Sequence, residues 1–293
     1  MYELIQVANN TYYVNCPAKI GLYLDKNNEV YLIDSGNDKE AGRKVRQILD
    51  KNGWTLRAIL VTHSHADHIG GCRYLQNQTG CKVYAPGIEC DFTRHTILEP
   101  SYLYGGFPPK ALQHKFLMAQ SADAQELTEQ VLPNGFEIIP LPGHFFDMVG
   151  FRTPDNVVFL ADCFSSRETL EKYRIAFICD VRAYLDTLEK VKELEAYCFV
   201  PAHAEVCCDI REIAQYNIDT VHEIIQRIMS ICSAPQNFET ILKRLFDEYS
   251  LKLSIEQYAL VGSTVRSYLA YLLDEGKLTV ICNYNMLLWE AVK

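Results

Sequence analysis

Residues 59–71 read ILVTHSHADHIGG, and they place a cluster of candidate metal ligands directly after a predicted strand. The apolar, β-branched run over residues 57–62 is typical of a buried strand. The polar side chains that follow it are His63, His65, Asp67 and His68. Imidazole nitrogens and carboxylate oxygens suit a borderline divalent metal such as zinc, iron or manganese. The alternative is a surface turn that happens to be rich in histidine. Gly70 and Gly71 are expected to let the backbone turn tightly into a helix beginning near Cys72.

Three further candidate ligands stand at the ends of later predicted strands. They are His144 after residues 136–141, Asp162 after 157–161, and His203 after 198–200. A carboxylate that follows five apolar residues costs free energy unless its charge is compensated, so Asp162 is expected to face cations. Asp34 ends an earlier strand on the same side. We expect it to accept backbone N–H bonds that brace the 63–68 loop, rather than to bind metal.

The composition indicates a globular protein with an acidic surface. The chain has 293 residues, 48% of them hydrophobic, and a formal net charge of -9. An acidic chain without a Lys/Arg run lacks the electrostatic footprint of a nucleic-acid binder. No segment has the roughly 20 apolar residues of a membrane span. The eleven cysteines show no metal-binding spacing, and the N-terminus lacks the pattern of a signal peptide. A cytoplasmic protein with reduced thiols is therefore expected.

Residues 87–133 interrupt the alternation of strands and helices and are predicted to form a lid or substrate wall. Within them, residues 99–109 read EPSYLYGGFPP, and their glycines and prolines favour a bent, exposed loop. A connection this long is usually functional or disordered, and an ordinary surface excursion is an equal alternative. The side chains expected to contact substrate are Tyr102, Tyr104, Phe107, Phe145 and Phe146.

Residues 234–293 are predicted to form a small separate module. Helices are expected over residues 238–249, in a short segment capped by Ser254, and from a cap at Ser263 or Thr264 to Gly276, with a hairpin over 278–289. Three helices and a hairpin in this order suggest a winged helix. The apolar faces exceed what so small a unit needs alone. We therefore expect the module to dock near residues 87–133, or onto a second subunit in a homodimer.

The order and local contexts of the candidate ligands closely resemble the metallo-β-lactamase superfamily. There a His-x-His-x-Asp-His motif is followed by Gly-His, by an Asp after an apolar strand and by a late His, and residues 1–233 carry the whole pattern. The resemblance implies an α+β fold for this catalytic domain, an αββα sandwich of two face-to-face sheets with helices outside. It also implies that a first metal is bound by His63, His65 and His144, a second by Asp67, His68 and His203, and that Asp162 bridges both.

The same resemblance implies a mechanism that uses two divalent metal ions, with Zn²⁺ expected and Fe or Mn as alternatives. Two ions about 3.5–4 Å apart lower the pKa of a shared water toward neutrality, which makes a hydroxide nucleophile. Asp67 is the predicted catalytic residue, because it is both a ligand and the group best placed to take a proton. The predicted activity is the hydrolysis of a small-molecule ester, thioester or lactone.

Two other activities of the superfamily stay open on the sequence. Some of its RNA-cleaving hydrolases carry a C-terminal winged helix, which keeps a phosphodiesterase or ribonuclease as an alternative. Against it, residues 236–293 hold six Lys/Arg and seven Asp/Glu, so nucleic acid is not the expected partner. The other alternative is a persulfide dioxygenase, whose single non-haem iron uses ligands that match His63, His144 and Asp162. Glyoxalase II resembles the core, but the winged-helix-like module replaces its C-terminal helices.

Overall fold

A computed structural model describes residues 2–292, and two β-sheets packed face to face form its core. Within that range the strands of the first sheet follow chain order from edge to edge: β1 (Glu3–Gln6), β2 (Thr11–Asn15), β3 (Ile20–Leu24), β4 (Glu29–Ile33), β5 (Thr55–Leu60), β6 (Lys82–Ala85) and β7 (Ala124–Glu126). The second sheet contains β8 (Glu137–Pro140), β9 (Val149–Arg152), β10 (Val157–Ala161) and β11 (Cys198–Pro201). Pairing is parallel from β4 to β7 and between β10 and β11, and antiparallel elsewhere in both sheets.

Helices lie outside the sheets and in the connections. Over the described residues they are α1 (Lys39–Asn52), α2 (Ala66–Ile69), α3 (Cys72–Thr79), α4 (Gly87–Arg94), α5 (Leu98–Tyr104), α6 (Arg167–Tyr173), α7 (Val181–Lys192), α8 (Arg211–Ile231), α9 (Phe238–Glu248) and α10 (Ile255–Asp274). Short 3-10 turns lie at Lys110–Leu112 and Glu129–Val131, and a hairpin of β12 (Leu278–Asn283) and β13 (Met286–Ala291) follows α10. None of these helices combines the length and the apolar character that crossing a membrane requires.

Three apolar layers hold the sandwich together. Alternate side chains of a strand face opposite sides of a sheet, so Ile33 and Leu60 of the first sheet meet Phe151 and Phe159 of the second between the sheets. A second layer lies between the first sheet and helices α1 and α3, and a third between the second sheet and helices α7 and α8. The predicted αββα sandwich is confirmed by this order of layers.

The candidate ligands gather because strand ends from both sheets meet at one edge of the sandwich. Parallel strands point the same way, so the ends of β4 and β5 lie side by side, as do the ends of β10 and β11. Asp34 follows β4, Asp162 follows β10, and His203 lies two residues after β11. The loop between β8 and β9 adds His144 at the same edge.

The sequence prediction for residues 99–109 was wrong in one respect. Residues Leu98–Tyr104 form a helix and not a bent loop. Pro100 is tolerated because it lies in the first turn, where its missing N–H leaves no helical hydrogen bond unmade. Gly105 ends the helix with a φ of 76°. Within residues 99–109, only those after Tyr104 lie outside regular secondary structure.

The predicted second and third helices of the C-terminal module are a single helix, α10. Ser254 caps its start as expected and accepts a hydrogen bond from Gln257 N. Thr264 does not cap a new helix, because its Oγ1 donates to the carbonyl of Leu260 one turn earlier. Two helices and a hairpin thus follow residue 234 within the described chain, and the winged-helix assignment stays a prediction.

The module packs onto the 87–133 segment. Ala259 of α10 lies in one apolar cluster with Leu103, Leu112 and Leu117, and Leu260 packs against its edge. Other side chains of α9 and α10 join the layer that covers the second sheet. The contact buries apolar faces that a unit of this size would otherwise expose.

Gly21 offers a test of the contact between the sheets. A Cβ at this position of β3 would lie 2.5 Å from Cε1 of Phe159 across the interface, so Gly21→Ala should lower the free energy of unfolding by about 1–3 kcal/mol. Urea denaturation measures the change. Gly106→Ala is the matched control, because the nearest heavy atom there is 4.0 Å away. Equal stability of the two variants would contradict the described packing.

Candidate metal centre

Three imidazole nitrogens converge at the first half of the centre. His65 Nδ1 lies 3.1 Å from His63 Nε2 and 3.1 Å from His144 Nε2. The set His63, His65 and His144 can offer one ligand atom each within 4.8 Å of one another. Three nitrogens at this spacing face a common point, as they would around a divalent metal.

A second group of ligand atoms lies beside the first. His203 Nε2 is 3.1 Å from Asp67 Oδ2, and Asp67, His68 and His203 offer atoms within 4.8 Å of one another. Asp67 and His68 both come from α2, the single helical turn that follows His65. Residues 63–68, which we call the motif loop, therefore supply ligand atoms to both groups.

The Asp162 carboxylate lies between the two groups. Its Oδ1 is 3.3 Å from His68 Nε2, and its Oδ2 is 3.4 Å from His203 Nε2 and 3.7 Å from His144 Nε2. One carboxylate thus reaches imidazoles of both groups, which is the position that a bridging ligand requires.

Each of four histidines is oriented by an oxygen on the side of the ring away from the centre. The Nδ1 atoms of these rings lie 2.7–3.1 Å from Thr62 Oγ1 for His63, Asp34 Oδ2 for His68, Phe177 O for His144 and Pro17 O for His203. Such partners hold the proton on Nδ1 and leave Nε2 free to bind a metal.

The residues of the centre fit two divalent ions. His68 Nε2 and Asp162 Oδ1 are buried without a hydrogen-bond partner within residues 2–292, although they lie in contact with each other. Buried polar atoms normally have partners. A cation between the imidazoles and the carboxylates would satisfy both atoms at once.

The first group of histidines is electrically neutral. Burial lowers the pKa of His65 to about 3, and the neighbouring His144 adds to the effect. Burial likewise lowers the pKa of His144, and it holds the pKa of His63 well below its usual value. Neutral imidazole is the form that binds a metal.

The second group contains paired charges. The Asp162 carboxylate raises the pKa of His203 to about 9. Burial disfavours a charge on His68, but Asp162, Asp34 and Asp67 outweigh burial and hold the pKa of His68 well above its usual value. Burial also opposes ionisation of Asp162, but His203 and His68 outweigh it and keep the pKa of that carboxyl well below its usual value. Positive charge is therefore stabilised in this half of the centre.

Asp34 braces the motif loop in the way that the sequence indicated. Its Oδ1 accepts a bond from Thr62 N, and its Oδ2 accepts one from Thr62 Oγ1, both at 2.8 Å. The same Oδ2 lies 2.7 Å from His68 Nδ1. The residue adopts a φ of 64°, which is uncommon for a side chain other than glycine.

Three glycines allow the loops to approach closely. Gly143 has a φ of 119°, and a Cβ there would lie 2.2 Å from Tyr184 N. Gly70 and Gly71 do not supply the unusual turn that the sequence suggested, since their φ values are -59° and -86°. They are needed for space, because a Cβ at Gly70 would lie 2.3 Å from the carbonyl carbon of Asn37.

Sequence reasoning missed Glu89, which ties two ligand loops together. Its buried carboxylate accepts bonds from Ser64 N at 2.9 Å and Ser64 Oγ at 2.6 Å, and from Asp147 N at 3.1 Å. Ser64 lies between His63 and His65, and Asp147 lies in the loop between β8 and β9 that carries His144. Burial raises the pKa of Glu89 to about 7. The available signal was an acidic residue beside Cys90 and Phe92 on the buried side of a helix.

The predicted substrate residues lie away from the cavity that opens on the centre. Tyr104 and Phe107 are 45% and 80% exposed, and Tyr102 OH lies 3.1 Å from Cys179 Sγ. Phe145 is buried with its ring 4.4 Å from that of His65, and Phe146 packs between the rings of Phe92 and Tyr102. None of these five residues lines the cavity that reaches His144, Asp162 and His203. Tyr102, Phe145 and Phe146 line a separate cavity of about 490 Å³ beside Gly143, and contact of the five residues with substrate stays a prediction.

Two neighbouring spaces adjoin the centre. A cavity of about 560 Å³ reaches His144, Asp162 and His203 and is walled by residues 164–177 and by α10. A groove of about 990 Å³ lies on the other side of His203 and is mostly lined by charged and polar side chains. Phe164 borders both spaces.

A family profile and several solved structures match the chain. The profile described as "Metallo-beta-lactamase superfamily" matches residues 15–203, which include all seven candidate ligands. A beta-lactamase domain protein from Burkholderia ambifaria superimposes with a TM-score of 0.78 at 16% identity, covering 99% of this chain and 94% of that one. A metallo-beta-lactamase family protein from Thermus thermophilus gives 0.72 at 15%, covering 100% and 98%. Both likenesses concern the fold and extend over the C-terminal helices and hairpin.

Curated relatives match shorter parts of the chain. The hydroxyacylglutathione hydrolase of Pseudomonas entomophila is 29% identical over 140 residues, which is 46% of this chain and 43% of that protein. The protein of the same name from Bradyrhizobium sp. strain ORS 278 is 55% identical over 47 residues, 16% of this chain and 18% of that protein. The chain thus spans less than half the length of these relatives.

Asp34 provides a test of the bracing of the second group. Asp34→Asn should weaken metal binding about 10- to 100-fold, because an amide has one accepting oxygen, and its NH₂ group would replace either the oxygen that faces Thr62 N or the one that faces His68 Nδ1. Calorimetric titration of the chelated protein with Zn²⁺ measures the affinity. Asp186→Asn, an exposed position on α7, is the matched control and should bind like the wild type. An affinity at Asp34→Asn equal to that of the control would count against the role of Asp34.

Proposed function

We propose that this chain, which belongs to the Metallo-beta-lactamase superfamily, is a dinuclear metallohydrolase that cleaves a small ester, thioester or lactone. The observation that carries the proposal is the convergence of seven imidazoles and carboxylates from four strand ends, with Asp162 in contact with both groups. The hydroxyacylglutathione hydrolases among the relatives support cleavage of a thioester bond.

In this proposal the two groups of side chains each hold one divalent ion. The first is held by His63, His65 and His144, the second by Asp67, His68 and His203, and Asp162 contributes to both. Imidazole nitrogens together with carboxylate oxygens would favour Zn²⁺ over harder ions. When bound, two such ions supply an activated water and polarise the carbonyl of the substrate.

Asp67 is proposed to carry the proton of the reaction. Its side chain is 40% exposed, whereas those of His68 and Asp162 are 0% and 14% exposed. Asp67 is therefore the more exposed of the two carboxylates of the centre, and its Oδ2 lies 3.1 Å from His203 Nε2. From this position it can take a proton from the attacking water and deliver it to the leaving thiol or alcohol.

Nucleic acid is not the proposed substrate. The cation that α10 would offer to a backbone phosphate, Arg266, lies 3.8 Å from the ring of Phe238 and is engaged there. Phosphate contacts require several free Lys or Arg side chains.

The eleven cysteines of the described chain are free thiols, which supports the proposal of a cytoplasmic enzyme.

Metal content and turnover test the proposed function together. Purified protein loaded with Zn²⁺ should hold about two metals per chain by elemental analysis. His65→Ala should lose metal and all measurable hydrolysis of ester, thioester and lactone substrates, because His65 Nδ1 is common to both short contacts of the first group. The matched control is His222→Ala, an exposed position on α8, which should keep both properties.

Two results would contradict the dinuclear hydrolase. One is less than one metal per chain after careful loading. The other is a single bound iron together with oxygen consumption in the presence of a persulfide, which would favour the dioxygenase alternative.

A further inference from the structure

We propose that the cavity between the metal centre and α10 binds an apolar acyl chain, and that the groove beside His203 receives a leaving group without negative charge. The inference rests on the hydrolase function proposed above and names the substrate class of that site. The proposed substrate class excludes thioesters whose leaving group is an anionic thiol such as glutathione.

The position of the cavity supports its role as the acyl site. It has a volume of about 560 Å³, within the range typical of small-molecule sites. Its floor contains His144, Asp162 and His203, which belong to the first group, to both groups and to the second group respectively. A chain that fills the cavity therefore ends with its carbonyl carbon at the centre.

The walls of the cavity are apolar or neutral. Phe164, Ile175 and Phe177 form one side, and Leu260 and Val261 of α10 form the other. Apart from the three candidate ligands, the lining residues drawn from positions 2–292 carry no charge. The polar side chains among them are the hydroxyls and the amide of Ser165, Thr169, Tyr173, Thr264 and Gln257. A charged acyl group would meet no counter-charge on these walls, whereas a hydrocarbon chain gains free energy from leaving water.

The groove beside His203 disfavours anions. Its cationic side chains are already engaged. Lys19 Nζ donates to the carbonyl of Ala204, and Arg167 pairs with Glu212 at 2.9 Å. His203 Nε2 lies 3.1 Å from Asp67 Oδ2. Glu168, Glu171 and Glu205 are exposed in the same groove and form no ion pair with other described residues. A leaving group that carries carboxylates or phosphates would therefore meet a negative potential.

The reaction for this substrate is a plain hydrolysis. One water adds to the acyl carbonyl carbon, and the bond from that carbon to sulfur or oxygen breaks. The products are a carboxylic acid and a thiol or alcohol, which takes up a proton of the water. No oxidant or further co-reactant is needed.

A series of thioesters tests the inference on the zinc-loaded protein. The acetyl, butyryl, hexanoyl and octanoyl thioesters of N-acetylcysteamine share an uncharged leaving group, and the matching thioesters of glutathione share an anionic one. We expect kcat/KM to rise about three- to fourfold per added methylene until the cavity is full, as burial of a CH₂ group predicts. For each acyl group the uncharged thioester should be cleaved faster than the glutathione thioester.

Two variants test whether this cavity causes the preference. Ala176→Phe and Leu260→Trp each place a larger side chain at the wall, and each should lower the octanoyl-to-acetyl ratio of kcat/KM about tenfold or more. Leu273→Phe is the matched control, because Leu273 is on the same helix but 39% exposed, and it should keep the wild-type ratio.

The possible failures are distinguishable. Hydrolysis without dependence on chain length, faster cleavage of the glutathione thioesters, or unchanged ratios in both cavity variants would overturn the inference and leave the hydrolase function standing. No cleavage of any ester, thioester or lactone by protein that holds two metals per chain would overturn the proposed function as well.

Discussion

Placing the carboxylate of Asp162 in a nearly buried position costs free energy unless positive charge surrounds it, and most features of this fold serve that requirement. His68, His144 and His203 lie within 3.3–3.7 Å of its oxygens. These rings come from connections that follow strands of both sheets. The two sheets must therefore pack in one relative position for the charges to meet. Divalent ions between these groups would compensate the carboxylates more fully than imidazolium protons do.

A cluster of this kind has to be rigid, and two further buried carboxylates supply the rigidity. Asp34 joins the motif loop to the end of β4, and Glu89 joins it to the loop that carries His144. Both accept backbone N–H bonds, so each fixes main chain as well as side chains. Loops held in this way keep ligand atoms in place before any metal binds, which lowers the cost of binding.

The parts of the structure that could be read from the sequence are those in which local pattern and tertiary role coincide. The run before His63 is apolar because the last three residues of β5, up to Leu60, are buried on both faces of the sheet. The bracing role of Asp34 followed from its position at a strand end. Glu89 could not be identified in this way, because its partners Ser64 and Asp147 are 25 and 58 residues away. Its place beside Cys90 and Phe92 on the buried side of a helix indicates burial, but it does not indicate which distant groups the carboxylate contacts.

The sequence predictions were wrong where the local residues suggested a loop or a helix end, but tertiary packing stabilises a continuous helix. Residues 98–104 contain a proline and are followed by glycines, yet Leu103 of this helix is buried against α10. Thr264 resembles a helix cap, yet it is buried within α10 and bonds to the preceding turn. In both places the contacts that stabilise the helix come from parts of the chain that are distant in sequence. Local propensity is a weak guide when tertiary contacts of this kind decide the conformation.

The candidate ligands lie inside the family match, whereas part of the cavity wall lies outside it. The family therefore follows from the ligands, while the substrate depends on other parts of the chain. The match to the superfamily ends at His203 and covers the chemistry of the centre. One wall of the cavity, however, comes from Leu260 and Val261, which lie beyond that match in the C-terminal module. A change in the module can therefore alter what enters the cavity without moving a single candidate ligand. If the proposed acyl site is correct, substrate choice would depend on how α10 docks on residues 87–133, and the metal centre could stay constant while that docking varies.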